Sequence, residues 1–360
     1  MENDGIAGRI VGLHERMEHA NIDAFFTLAP PSMRYLTGFT GEEGFLLVAG
    51  HAVHLIVDGR FTTQAHEECP HVDVIEYSGH FSTTVAKLLA EAHAHWLGFE
   101  KERMPYAEAE RMHAAFPSVI MVPTENVVES MRMVKDAREL DMMRKAGRVA
   151  DAAYSAMVAQ LKAGMTENDV AALLEYEMRK AGAQGTSFST IVGSGPRGAL
   201  PHGIASGKAI REGEVVVIDF GVNYQGYMSD CTRTVALGDP GAEVRDVYCR
   251  LLDAQKLGLS LIRAGVSSRS VDSAVRAKLG ESGLAQYFTH GLGHGVGLEI
   301  HEAPRLAQSS DTVLQPGHIV TCEPGVYLPG QYGMRIEDSV IVTQDGCESL
   351  TTLPKELVLG

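Results

Sequence analysis

An internal echo constrains this chain more than any other feature. The segment Leu161 to Val170 (LKAGMTENDV) returns at an offset of 101 residues, from Ile262 to Val271 (IRAGVSSRSV). Ala163 aligns with Ala264, Gly164 with Gly265, Thr166 with Ser267, Val170 with Val271 and Gly182 with Gly283. In each copy a glycine precedes a Ser/Thr residue suited to cap a helix, an amphipathic stretch follows, and a glycine ends it. Any two capped helices share that much. A duplicated domain demands more: each copy should lead into an equivalent hairpin.

The first copy leads into EVVVIDFGV, NYQG and YMSDCTRTVAL, two β-rich runs around a tight polar turn. With the turn at Asn223 to Gly226, Asp219 and Asp230 become direct cross-strand neighbours. Like charges so placed destabilise a sheet unless something neutralises them, and a cation is the obvious agent. The second copy leads into HIVTCEPGVYL, a Pro/Gly-rich reversal and MRIEDSVIVT, with Glu323 on one run and Glu337 on the other. Four carboxylates converging in a core carry a charge of about −4, which burial makes costly, and two divalent ions restore neutrality where one leaves about −2. A nitrogen ligand is at hand in HGLGHGVGLEIH, which contains His290, His294 and His301.

Length and composition set the frame. With 360 residues, 45% hydrophobic and 21% charged, the chain suits two soluble globular domains, and no apolar run is long enough to span a membrane. A net charge of −15 opposes nucleic-acid binding. The five cysteines show no Cys-x-x-Cys spacing, so neither a disulfide framework nor a thiolate zinc site is indicated. The opening MENDGIAGRI lacks the basic start and apolar stretch of an export signal, so a cytoplasmic location is expected. The expected class is α/β (α+β). Residues 1–125 form a small α/β domain, with a helix from Ile10 to Ala20, strands in DAFFTLA, GFLLVAG and VHLIVDG, and a helix from Thr84 to His95. Residues 126–145 form a helical linker within a proline-free stretch that runs to Gln160, and 146–360 hold the duplicated domain.

The motifs IDFG, SDCTRT, HGLGHGVGLEIHE, EPGVY and MRIED resemble those of the metal-dependent peptidases of the pita-bread fold. The N-terminal domain directs the resemblance to prolidase (Xaa-Pro dipeptidase) and aminopeptidase P rather than methionine aminopeptidase. The resemblance implies a creatinase-like N-terminal domain followed by a pita-bread domain with pseudo-two-fold duplication. It makes Asp219 a ligand of one metal, Asp230 and Glu337 bridges between two, and His294 and Glu323 ligands of the other. None of the five departs from the family pattern.

Roles for other residues follow from the same resemblance. Glu323 shuttles a proton from water to the leaving proline nitrogen, and His202 and His301 bind substrate and stabilise the tetrahedral intermediate. His290 is an accessory histidine, Arg335 holds carboxylates in place with Asp230 as the expected partner, and Tyr327 borders the substrate site. Arg305, in HEAPR, is positioned to hold the carboxylate of a dipeptide, which favours prolidase over aminopeptidase P. The ligand chemistry favours Mn²⁺ or Co²⁺, with Fe²⁺ or Zn²⁺ as alternatives. A homodimer is expected, and a non-catalytic binding module on the same fold is the rival from another class.

Two motifs are set aside. GSGPRG fits a dinucleotide pattern, but the residues after it do not form the required helix, and HGLGHGVG lacks the Lys-Ser/Thr ending of a phosphate loop. The N-terminal histidines, scattered between His51 and His95, show no ligand spacing.

Overall fold

A computed structural model describes residues 2–359, with side chains from 5 to 358. The chain divides into two compact units, 1–132 and 133–360. The first unit alternates helices α1 (Glu2–His19), α2 (Pro30–Thr37), α3 (Thr62–Glu68), α4 (Phe81–Glu91), α5 (Tyr106–Ala115) and α6 (Val127–Arg132) with six strands. These are β1 (Ala24–Thr27), β2 (Phe45–Ala49), β3 (Ala52–Val57), β4 (Asp73–Glu76), β5 (Trp96–Glu100) and β6 (Ile120–Thr124), in the sheet order β4-β3-β2-β1-β5-β6. The apolar runs named from the sequence are β1, β2 and β3, and the buried faces of Phe26, Leu47, Ile56 and Leu97 pack against Phe81, Val85 and Leu89 of α4. Burying each such side chain contributes roughly 1.5–3 kcal/mol.

The stretch from Asn126 to Gln160 is not one helix. It breaks between α6 and α7 (Ala137–Val158), because Asp136 caps α7 in a capping box with Glu139 and the Lys135 N–H bonds to the Gly317 carbonyl instead of a helical partner.

The second unit continues with α8 (Glu167–Lys180), β7 (Gly185–Thr186), β8 (Ile191–Ser194), β9 (Val215–Phe220), β10 (Val222–Tyr224), β11 (Tyr227–Met228) and β12 (Cys231–Leu237). Then follow α9 (Ala242–Leu261), α10 (Ser268–Gly280), β13 (Gly293–Gly295), β14 (Glu302–Leu306), β15 (Ile319–Cys322), β16 (Gly325–Leu328), β17 (Tyr332–Arg335), β18 (Asp338–Val342), β19 (Cys347–Ser349) and β20 (Val358–Leu359). A sheet β20-β12-β9-β8 and a sheet β14-β13-β15-β18-β19 correspond. Each has a central antiparallel pair, β9 with β12 and β15 with β18, flanked by β8 or β13.

The echo is a true structural repeat. Thr166 bridges Ala209 as Ser267 bridges Val313. The Gly164 N–H bonds to Ile210 O as the Gly265 N–H bonds to Leu314 O, both at 2.9 Å. All four flanking glycines, Gly164, Gly182, Gly265 and Gly283, have positive φ, which accounts for their recurrence. The cores repeat too: α7 and α8 bury Ala150, Tyr154, Val170 and Leu174 against β9, and α9 and α10 bury Leu251, Ala254, Val271 and Val275 against β15 and β18.

The first hairpin differs in register from the sequence expectation. Gln225 and Gly226, with φ of 48° and 79°, form a two-residue turn, so Tyr224 pairs with Tyr227 and Asp219 pairs with Thr232. Asp230 lies across from Gly221 and diagonal to Asp219. In the second hairpin β15–β18 and β16–β17 share one register, and its continuation through the Ile336 N–H to Pro324 O bond sets Glu323 opposite Glu337. GSGPRG runs from β8 into a short 3-10 turn, Gly195–Ala199, and no α-helix follows it.

Candidate active site

The two hairpins place their carboxylates together inside the second unit. Oxygens of Asp219, Asp230 and Glu337 all lie within 4.8 Å of one another, and all three residues are buried. His294 Nε2 stands 3.5 Å from Asp230 Oδ2 and 3.3 Å from Glu323 Oε1, which joins Glu323 to the group. The five residues named as ligands from the sequence thus converge. Glu323 is held up at about 7 chiefly by burial, while Asp230 and Glu337 rise well above the carboxylate range through burial and mutual repulsion.

This cluster fits divalent ions. Asp219 Oδ1 and Glu337 Oε1 are buried without a hydrogen-bond partner, although each acid's other oxygen is well served. Orphaned buried acceptors in an acidic cluster need a counter-charge. His294 suits the same purpose. Its Nδ1 is 3.0 Å from Gly295 O, so the proton sits on Nδ1 and the Nε2 lone pair faces the acids. Burial holds its pKa down at about 4, which keeps the ring neutral.

Arg335 organises the cluster from behind. Its Nη2 donates to Asp219 Oδ2, Nε to Thr232 Oγ at 3.0 Å, and Nη1 to Tyr327 Oη at 2.7 Å and Pro201 O at 3.1 Å. Thr232 Oγ in turn donates to Glu337 Oε2 at 2.6 Å. The expected partner Asp230 is therefore corrected to Asp219, with Glu337 reached through Thr232. The two-residue register shift is the cause, because it puts Thr232, not Asp230, opposite Asp219. Thr232 was missed from the sequence, although its position two residues beyond Asp230 on a strand was the available signal.

Tyr327 is also reassigned. It is 5% exposed, and its hydroxyl accepts from Arg335 and lies 2.8 Å from His290 Nε2. Having accepted from Arg335, it donates to His290. The His290 Nδ1 lies 2.8 Å from Gly291 O and carries the ring's only proton, and burial lowers its pKa to about 4. Tyr327 is thus a positioning group, and it does not line the cavity.

The other named residues surround one cavity of about 830 Å³. His202, His301 and Arg305 are exposed on its wall, and His290 and Arg335 reach it beside the five clustered residues. Phe188, Ile191, Ile204 and Ile300 supply an apolar side. The His301 ring lies 4.4 Å from that of His294. The next residue, Glu302, forms a buried ion pair with Lys135 at 3.1 Å. No periodicity in the sequence links Lys135 to Glu302, 167 residues apart. Such an arrangement can bind a short peptide, polarise its carbonyl and move a proton at Glu323.

Comparison with known proteins agrees with this geometry. A family model described as metallopeptidase family M24 matches residues 141–344, and one described as creatinase/prolidase N-terminal domain matches 9–134. The chain is 36% identical to an Xaa-Pro dipeptidase of Pyrococcus horikoshii, over 96% of this chain and 97% of that one. The solved structure of an Xaa-Pro dipeptidase from Bacillus anthracis is 40% identical with a TM-score of 0.96, covering 98% of this chain and all (100%) of that one. An X-Pro aminopeptidase from Thermotoga maritima is 40% identical with a TM-score of 0.90, covering 96% and 100% respectively.

Proposed function

Because the chain belongs to metallopeptidase family M24, with a creatinase/prolidase N-terminal domain ahead of the pita-bread domain, we infer that it hydrolyses the bond between a residue and a following proline in Xaa-Pro dipeptides. The observation that carries the hydrolytic reading is the pair of orphaned buried oxygens, on Asp219 and Glu337, beside a cavity open to a peptide. The relatives' names support proline specificity, and Arg305 on the cavity wall supports the dipeptide.

Asp219, Asp230, His294, Glu323 and Glu337 would hold two divalent ions. Oxygen-rich donors with one imidazole and no thiolate favour Mn²⁺ or Co²⁺. When bound, the ions supply Lewis acidity toward the scissile carbonyl and ease deprotonation of water. Glu323 accepts the proton of the attacking water and delivers it to the proline nitrogen. His202 and His301 donate hydrogen bonds to the charge that develops on the carbonyl oxygen. Arg305 pairs with the dipeptide's terminal carboxylate. Arg335 fixes Asp219 and Glu337, and Tyr327 fixes His290. Proline's missing N–H and fixed φ explain why a dedicated site is required.

The test compares an Xaa-Pro dipeptide with an Xaa-Pro-Yaa tripeptide, each with Mn²⁺ or Co²⁺ and with a chelator. Metal-dependent cleavage of the dipeptide is expected. Cleavage of the tripeptide alone would establish the aminopeptidase P reading instead, which the Thermotoga maritima relative supports. Binding without cleavage would establish a binding module. The proposed assembly is a cytoplasmic homodimer, and a gel-filtration mass of one chain contradicts the dimer.

A further inference from the structure

The loop that carries His202 is anchored at both ends on one buried carboxylate. Glu167, the first residue of α8, is fully buried at 0% exposure. Its Oε1 accepts from the Ser194 N–H and hydroxyl, both at 2.8 Å. Its Oε2 accepts from Arg197 Nε at 2.8 Å and from the Ser206 hydroxyl and N–H at 2.6 and 3.2 Å. Five donors on one carboxylate outweigh the burial that would raise its pKa and hold it below the usual range. The donors bracket residues 195–205. Arg197 extends the bracket, since its Nη2 donates to Ile204 O at 2.6 Å, two residues beyond His202.

The span between these anchors has further supports: Ile204 bridges Ile191 of β8, and Gly198 of the short 3-10 turn packs against the backbone of Gly333 in β17. Leu200, His202 and Ile204 are exposed, and the hydrogen bonds within it are the short-range turns Leu200 N–H to Arg197 O, Gly203 N–H to Leu200 O and Ile204 N–H to His202 O. On the far side Arg335 holds Pro201 O, the residue before His202. The loop is thus fixed at its ends by Glu167 and at its apex by the residue that also holds Asp219.

We propose that Glu167, acting through Arg197, Ser194 and Ser206, is a positioning residue that sets His202 against the substrate. The proposal rests on the reading of His202 as a group that touches the substrate. A displacement of about 1 Å at such a group lowers the rate on the order of 100-fold. Glu167 touches none of the proposed metal ligands, so its effect separates from metal binding.

The experiment is a double-mutant comparison on the metal-loaded enzyme. Glu167→Gln in the wild-type background should lower kcat/KM for an Xaa-Pro dipeptide on the order of 10- to 100-fold. In a His202→Ala background it should lower it no further, and titrated metal affinity should stay unchanged in both. An equal loss in both backgrounds, or no loss in wild type, overturns the proposal. A second readout is independent of turnover: the ¹⁵N imidazole signals of His202 in Zn²⁺-loaded protein should broaden or shift in Glu167→Gln, with those of His301 unmoved. Unchanged His202 signals overturn it. Should the wild-type enzyme prove inactive on Xaa-Pro peptides, the proposed function fails and the imidazole signals decide this proposal alone. If Glu167→Gln does not fold, Arg197→Gln, which keeps the carboxylate and its serine donors, takes its place in both comparisons.

Discussion

At the scale of single residues, Arg335 connects most of the site. It is buried and gives four of its donor directions to Asp219, Thr232, Tyr327 and Pro201. Arg335→Met leaves Asp219 without its partner, and removing one member of a buried ion pair costs about 3–5 kcal/mol. Denaturant unfolding of the chelated variant should show that loss, and metal affinity should fall about 10–100-fold, as for other groups that orient ligands. Wild-type affinity in Arg335→Met would contradict the role. Arg305→Ala should raise KM for a dipeptide by about 10-fold or more while changing tripeptide binding little, which initial-rate kinetics will reveal. The convergence of the five clustered residues was legible in the sequence because carboxylates in paired hairpins beside a His-rich segment have few structural uses. Thr232 had a signal in its place two residues beyond Asp230, whereas Glu167 and Lys135 were not legible, because their work depends on contacts across 27 to 39 and 167 residues, where no local pattern survives.

At the scale of elements, the hairpins succeed by tight backbone approach. A Cβ on Gly221 would stand 1.9 Å from Ser229 O and 2.1 Å from Ser187 Oγ, so the residue facing Asp230 must be glycine. Gly221→Ala should cost about 1–3 kcal/mol through overpacking and should displace Asp230, so that thermal stability and metal affinity fall together. A variant with unchanged metal affinity would show that Asp230 is positioned by other contacts. The paired strands were readable from their β-branched runs, but the register was not, since choosing the turn decides it. Gln225 at positive φ is an unusual residue for that position, and a four-residue turn from Asn223 was the more natural reading. The break before α7 did have a signal, the Asp136-x-x-Glu139 capping box, which the continuous helical charge pattern around it obscured.

For the whole molecule, duplication is the organising fact: two matching helices, of which Thr166 caps the first and Ser267 makes no capping bond to the second, two sheets and two hairpins bring four acids to one place. The fold was legible because a repeat of this length predicts its own second half. The acids must be neutralised together, and that has a pH consequence. A carboxyl whose folded pKa is raised stabilises the fold at low pH and loses that contribution as pH climbs through the folded value. Glu323 at about 7 behaves this way, as do Asp230 and Glu337, which burial and the neighbouring acids raise well above the carboxylate range. His290, His294 and His318, held at about 4 chiefly by burial, contribute stability that is lost as pH falls below their ordinary value of 6.5. Above that value only the carboxyl effect remains, so the melting temperature of chelated protein should fall as pH rises from about 6.5 through about 7, and divalent metal should abolish the fall. A flat profile in chelator would mean that the acids are neutralised some other way. The central claim, that this cluster is a two-ion site, is tested most directly by titrating chelated protein with Mn²⁺ in a calorimeter. The account predicts two ions per wild-type chain and fewer than two for Asp230→Ala; a single ion in the wild type, or an undiminished count in the variant, would contradict it.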